Sequence, residues 1–260
     1  MKNKTVVAGC SWTTRKYVSR QCPEIDTTFE KWDQIVARQY GWDTINTATV
    51  GAPNALIIKR ALDAIHTTQS VERCVIALSE WGSFLLPDGH IANPILLTTT
   101  QSPDEAPKLT TQRRLYDLYP YNHKMHVRRV QDLLFTIHSF IDTCVLKGIE
   151  VVMLQTIPAI ESFKPFCTAD EYEKLCEVLL EDPYLALIRE LVANNDTVQI
   201  LGDPFALEDG TVMHALHKLA DEPFDWTIKP PLDYHPNGRG HRLIADVFIE
   251  GYVNNYGVQQ

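Results

Sequence analysis

The chain has 260 residues, a formal net charge of −9, 45% apolar residues and 22% charged ones. That length can bury a proper core, and that composition excludes disordered and fibrous classes. The acidic balance argues against nucleic acid or an anionic membrane as partner, since both call for an excess of Lys and Arg. Residues 5–9 (TVVAG) form a β-branched run ending in glycine, the mark of a buried strand. Residues 28–40 carry Phe29, Trp32, Ile35, Val36 and Tyr40 at helical spacing, with Gly41 as terminator. A second strand is expected over 44–50, then the turn Gly51-Ala52-Pro53-Asn54, with Asn54 as N-cap of a helix over 55–65. Residues 74–78 (CVIAL) are too apolar to face water and read as a third strand.

Further along, residues 82–122 hold Pro87, Pro94, Pro103, Pro107 and Pro120 and read as a surface excursion. A helix follows over 123–147, with Val130, Leu133, Leu134, Ile137, Ile141, Cys144 and Val145 on one stripe and Gly148 closing it. Strands are expected over 149–154 and, more weakly, 198–201, with loop and helix between them over 156–196 and an N-cap at Thr168. The last helix runs over 238–252. Continuously apolar strands alternating with helices imply a parallel sheet covered on both faces. The expected organisation is one α/β domain over 1–260, with insertions near 82–122 and 156–196.

The cysteines at 10, 22, 74, 144, 167 and 176 form no C-x-x-C pair and no zinc-finger spacing. Most lie in apolar runs, where a reduced thiol packs as a small hydrophobe. With no signal-peptide core and no long apolar run, a cytoplasmic protein with no membrane partner is expected. His123/His126 and His214/His217 are i, i+3 pairs, but no carboxylate completes a zinc motif, so no metal or other cofactor is expected. Glu80 and the basic run His123–Arg129 are expected to be solvated, Glu80 with Arg128 or Arg129 as its alternative partner. Tyr116, Tyr119 and Tyr121 could stack on a sugar or line a subunit interface.

In a parallel sheet, function gathers beyond the carboxyl ends of the strands. Those positions hold Gly9-Cys10-Ser11-Trp12, Gly51-Ala52-Pro53-Asn54, Ser79-Glu80-Trp81 and Gln155-Thr156. Before the last helix comes Asp233-Tyr234-His235-Pro236-Asn237-Gly238-Arg239-Gly240-His241. A serine hydroxyl becomes a nucleophile when an imidazole accepts its proton, and the imidazole needs a carboxylate on its other nitrogen. Ser11, His235 and Asp233 supply those types, the last two lying two apart on an extended segment just before a helix, where a local turn could let them meet. Backbone N–H groups at Ser11 and Gly51 would serve an oxyanion hole. Trp12 and Trp81, beside two of these turns, are the candidate substrate contacts. His241 reads as a helix residue that packs or caps.

Gly9-Cys10-Ser11, the Asn46/Gly51/Asn54 segment and the terminal D-x-H-P-N-x-x-G-H resemble the blocks of the SGNH (GDSL-like) hydrolases, from Val6 to Tyr252. The resemblance implies a flavodoxin-like three-layer α/β/α sandwich with a central, mainly parallel five-stranded sheet. It also implies a metal-free serine esterase acting on a small ester or acylated glycan. By matching positions, Ser11 is the nucleophile, His235 the base, Asp233 its orienter and Gly51 an oxyanion donor. Three departures stand out. Cys10 replaces the usual Asp, Asp-x-His replaces Asp-x-x-His, and Ser79-Glu80-Trp81-Gly82 replaces the third block with its oxyanion Asn. Asn54 is the candidate substitute. The Trp-containing third block resembles that of phage and marine bacterial proteins. A homo-oligomeric or virion assembly component and an O-acyltransferase therefore remain alternative readings.

Overall fold

Strand β1 (Lys4–Gly9) is buried from Thr5 onward and lies between the edge strand β2 (Asp43–Asn46) and the central strand β3 (Val71–Leu78). Beyond β3 the short hairpin strands β4 (Phe84–Leu85) and β5 (Ile91–Ala92) pair antiparallel, and β6 (Glu150–Gln155) and β7 (Val198–Leu201) complete the sheet. Its order is β2-β1-β3-β6-β7, and every neighbouring pair is parallel. The computed structural model describes residues 3–19, 22–81, 84–85, 91–92, 123–160, 164, 167–202, 211–230 and 233–256. The Tyr116, Tyr119 and Tyr121 cluster lies outside them.

All six residues of β6 and the last five of β3 are buried, which is why neither run alternates in polarity. Each Val or Ile so buried contributes about 1.5–3 kcal/mol. The buried carboxylate of Glu150 pairs with Arg73 at 2.6 Å and accepts the Tyr252 hydroxyl at 3.0 Å, so burial leaves it satisfied.

The helices among the described residues are α1 (Trp32–Tyr40), α2 (Asn54–Thr67), α3 (His123–Leu146), α4 (Ala169–Glu181), α5 (Pro183–Asn194), α6 (Val212–Leu219) and α7 (Gly238–Tyr256). Helix α2 packs on β1, β3 and α3, and α3 in turn carries α4 and α5, forming one outer layer. Helices α1, α6 and α7 pack together as the other. The sequence rules show at the ends. Gly41 closes α1 at φ +68°, and Thr168 and Glu171 cap α4 reciprocally, the Glu171 N–H reaching Thr168 Oγ1 at 3.3 Å. Asp182 caps α5 with Pro183 in its first turn. The outcome is an α/β/α sandwich of flavodoxin-like strand order, as expected.

Boundaries shift where local chemistry outweighs periodicity. Helix α1 begins at Trp32 rather than Thr28, because Lys31 is extended and its N–H bonds the Gln34 side chain at 3.0 Å. Strand β2 stops at Asn46, whose side chain turns to the neighbouring loop. Asn54 is the first residue of α2 and not its cap; Pro53 holds that position without a side-chain bond. A final antiparallel ribbon, β8 (Thr227–Lys229) with β9 (Asp233–Pro236), has no counterpart in the sequence reading. All six cysteines are free thiols. Among the described residues, no helix is long and apolar enough to cross a membrane.

Candidate active site

Ser11 follows β1 directly, beside the gap between β1 and β3 where the connections diverge to opposite sides of the sheet. Its turn is tight: the N–H groups of Thr13 and Thr14 both bond the Cys10 carbonyl, at 3.0 and 3.1 Å. Gly9 is required there, since a Cβ would lie 2.3 Å from Thr13 Oγ1. Asn46 anchors the far side of the turn, its Nδ2 donating to the Thr13 carbonyl and to Asp33 Oδ2, each at 2.9 Å. Asp33 is itself buried and paired with Arg15 at 2.7 Å.

From the other end of the chain, β9 presents Asp233 and His235. His235 Nε2 lies 2.8 Å from Ser11 Oγ, and His235 Nδ1 lies 2.7 Å from Asp233 Oδ1. The same carboxylate oxygen accepts the His235 backbone N–H at 2.9 Å. The pair is graded in exposure: the Asp233 side chain is 2% exposed and that of His235 30%. A carboxylate is thus sealed behind an imidazole that solvent can reach. Burial alone would raise the Asp233 pKa. Hydrogen bonds from His235, Ser19 and Tyr17 outweigh it and hold the group well below the usual carboxylate range. Asp233 therefore carries charge across the neutral range.

Tyr17 has no precedent in the sequence blocks. Its hydroxyl donates to Asp233 Oδ2 at 2.7 Å and lies 2.8 Å from His235 Nδ1. Its ring stacks on the imidazole, centroids 4.1 Å apart and planes 26° off parallel. No sequence signal could have found it, since it sits 216 residues from Asp233 in an irregular loop.

The turn carrying Gly51 is tied to the Ser11 side of the sheet. Thr47 N–H reaches the Val7 carbonyl at 2.8 Å, and Thr49 N–H the Gly9 carbonyl at 3.1 Å. Gly51 itself has φ +69°, as the third position of the Thr49–Ala52 turn requires. Asn54 is buried, with both ends of its amide on the Ser79 backbone. Oδ1 accepts from Ser79 N at 2.7 Å, and Nδ2 donates one hydrogen to Ser79 O at 3.0 Å. It thereby links the start of α2 to the residue just past β3.

Trp12 and Trp81, expected as substrate contacts, are both core residues, 5% and 3% exposed. Trp12 packs edge-on against Trp226 at 5.6 Å, and Trp81 Nε1 donates to Gln155 Oε1 at 3.3 Å. Indoles next to apolar strand ends find more area to bury inward than at the rim. Glu80 is likewise not solvated; it is buried and accepts the Ser79 hydroxyl. Arg128 is exposed and paired with Asp132 at 3.0 Å, as expected, whereas His126 of the same run is buried, because it lies one turn before buried Val130 on the inward stripe of α3.

Cys10, adjacent to Ser11, is a packed thiol. Burial pushes its thiol up, and it is 2% exposed. His241 packs rather than titrates: burial, then the charges of Lys31 and His235, push it down to about 3. Its Nδ1 faces Trp32 N at 3.4 Å. His217 stacks edge-on against Phe224 and Trp226. Among the described residues, no group of three His, Cys, Asp or Glu side chains is placed to hold a metal ion.

No family model and no curated protein matches the sequence. Solved structures do match along the whole chain. The psychrotrophic esterase EstA from Pseudoalteromonas sp., solved with monoethylphosphonate as inhibitor, is similar at 13% identity and TM-score 0.50, over 97% of this chain and 98% of that one. Protein YXIM from Bacillus subtilis is similar at 12% identity and TM-score 0.50, over all of this chain but 58% of that one. A member of the lipolytic protein G-D-S-L family from Veillonella parvula is similar at 14% identity and TM-score 0.46, over 95% and 96% of the two chains. At such identities the likeness is one of architecture. The chain has the fold of the SGNH (GDSL-like) hydrolases.

Proposed function

We propose that the protein is a serine-dependent acylhydrolase that removes an acyl group, foremost acetyl, from a carbohydrate or other small ester. The observation that carries this reading is the chain of contacts Ser11 Oγ, His235 Nε2, His235 Nδ1, Asp233 Oδ1, at 2.8 and 2.7 Å, at the switch point of an SGNH-type sheet.

In this reading Ser11 Oγ attacks the ester carbonyl while His235 Nε2 takes its proton. General base assistance of this kind contributes about 10²–10⁴ in rate. Asp233 holds the imidazole in the tautomer with hydrogen on Nδ1 and stabilises the cation that forms. The negative charge on the carbonyl oxygen would be received by the backbone N–H groups of Ser11 and Gly51. The second Nδ2 hydrogen of Asn54 is the third candidate donor. Each donor is typically worth about 10²–10³ in rate. His235 then protonates the leaving alcohol, and water, activated by the same imidazole, attacks the acyl-serine and restores Ser11.

The test is an activated phosphonate probe combined with acetyl-ester turnover. Wild type is expected to be labelled and to hydrolyse the ester, and Ser11→Ala to do neither. Full esterase activity in Ser11→Ala would defeat the mechanism.

A further inference from the structure

We propose that Tyr17 is the positioning residue of the site, fixing the tautomer and orientation of His235 and stabilising its cationic form through the face of its ring. This role rests on the reading of His235 as general base.

An imidazole that must pass a proton from one partner to another needs two restraints. It must not rotate, and it must present the correct nitrogen. Asp233 lies two residues away on the same ribbon strand, so any twist of the ribbon moves carboxylate and imidazole together. Tyr17 comes from the loop after β1, the same loop that carries Ser11, and supplies an independent reference. It is buried and tethered, its carbonyl accepting Thr27 Oγ1 at 2.7 Å.

Proton accounting gives the tautomer. Burial and the neighbouring carboxylate push the Tyr17 phenol up, so it keeps its proton, which goes to Asp233 Oδ2 at 2.7 Å. Asp233 carries none. The hydrogen between Asp233 Oδ1 and His235 Nδ1 therefore sits on Nδ1, within reach of the phenol oxygen as well at 2.8 Å. Nε2 is left with a lone pair toward Ser11 Oγ. Once His235 takes the serine proton, a cation lies 4.1 Å from the centre of an aromatic ring, an attraction absent for the neutral imidazole. Such differential stabilisation accelerates the step. Among the described residues, His241 of α7 also couples to His235, and burial keeps it neutral across the neutral range.

The experiment is histidine-ring NMR on the full-length chain, with kinetics on an acetyl ester, for wild type, Tyr17→Phe and Tyr17→Leu. In wild type, neutral His235 is expected as the Nδ1–H tautomer. Tyr17→Phe keeps the ring but removes the hydroxyl that meets both Asp233 Oδ2 and His235 Nδ1, so part of the Nδ1–H preference is expected to be lost. Tyr17→Leu also removes the ring face and is expected to mix the tautomers further. In kcat the expected losses are about tenfold and about a hundredfold, with KM within about twofold. An identical His235 tautomer in wild type and Tyr17→Phe would overturn the role, as would a loss confined to KM. If Tyr17→Leu does not fold, Tyr17→Phe alone decides. The NMR readout needs no turnover, so a Ser11 that fails to react with the probe defeats the hydrolase reading while leaving the Tyr17 result legible.

Discussion

Asn237 fixes His235 in place without touching it, and its removal makes a quantitative test of how the site is held. Its Nδ2 donates to the carbonyls of Asp225 and Thr227 at 2.8 and 2.7 Å, while its Oδ1 accepts the Gly240 N–H at 2.9 Å. One side chain thus closes the loop before β8, pins β8 beside β9 and caps α7. Truncation to Ala loses a cap worth about 1 kcal/mol. It also leaves two carbonyls, one on buried Thr227, without their donor, at about 1 kcal/mol or slightly more each because the site is only half-buried. The sum is about 3 kcal/mol, or a fall in Tm of roughly 5–10 °C for a chain of this size. Asn237→Ser separates the contributions, since serine caps a helix but cannot span to both carbonyls. It is expected to recover about 1 kcal/mol and leave about 2 kcal/mol lost. Urea unfolding of the three proteins measures this, and ester turnover at a temperature where all are folded reports the displacement of His235. If Asn237→Ser matched wild type, the bridge to the carbonyls would be irrelevant and the reasoning wrong.

Other expectations concern the base of the site. Gly9→Ala would set its new Cβ 2.3 Å from Thr13 Oγ1 and 2.6 Å from Thr13 Cβ, forcing the Ser11 turn outward. It should destabilise the chain by about 1–3 kcal/mol and reduce turnover more than tenfold, with partial rescue by Thr13→Gly. Unchanged stability and rate would show that the turn has slack. Lys31 is buried, its Nζ bonded to the Thr27 carbonyl at 3.0 Å. Burial pushes its pKa down to about 8, although Asp33 and Asp26 pull upward. The unfolded chain, with an ordinary lysine near 10.4, binds the more protons between those values, so stability should rise with pH there. Lys31→Met should raise stability at pH 7 by about 2–3 kcal/mol and flatten that rise. A pH-stability curve parallel to wild type would refute it.

The sheet was legible because strands buried on both faces leave unbroken apolar runs, as residues 74–78 do. Ser11, His235 and Asp233 were legible as residue types at strand ends, and the structure brings the three within hydrogen-bond reach. What escaped depends on distance along the chain. Tyr17 sits in a segment with no periodicity, and its meaning exists only once β9 is folded against it. The tryptophans misled because position beside a strand end does not say which way a side chain points. Trp12 and Trp81 turned inward, where their rings found Trp226 and Gln155. Glu80 misled for the opposite reason. A carboxylate is expected in water until a buried hydroxyl such as that of Ser79 is at hand.

The shortened Asp-x-His spacing follows from the conformation of the segment that carries it. On an extended strand, side chains two residues apart share a face, whereas three apart they point to opposite faces. Residues 233–236 form a strand, in line with the extended segment expected there, and burial alternates over the first three of them. Asp233 is buried, His235 half-buried, and Tyr234 between them is exposed at 46%. A two-residue spacing is therefore the one that lets a straight strand bring carboxylate and imidazole together on one side. Because the separation is fixed by the pleat, Asp233 Oδ1 can accept both the His235 N–H and Nδ1–H. Oδ2 is left facing away from the ribbon, which is where the Tyr17 hydroxyl meets it. The ribbon β8–β9, the short spacing and the tyrosine from the serine loop are thus parts of one arrangement. Inserting a residue between Asp233 and His235 would carry the imidazole to the face of Tyr234 and break its contact with Ser11.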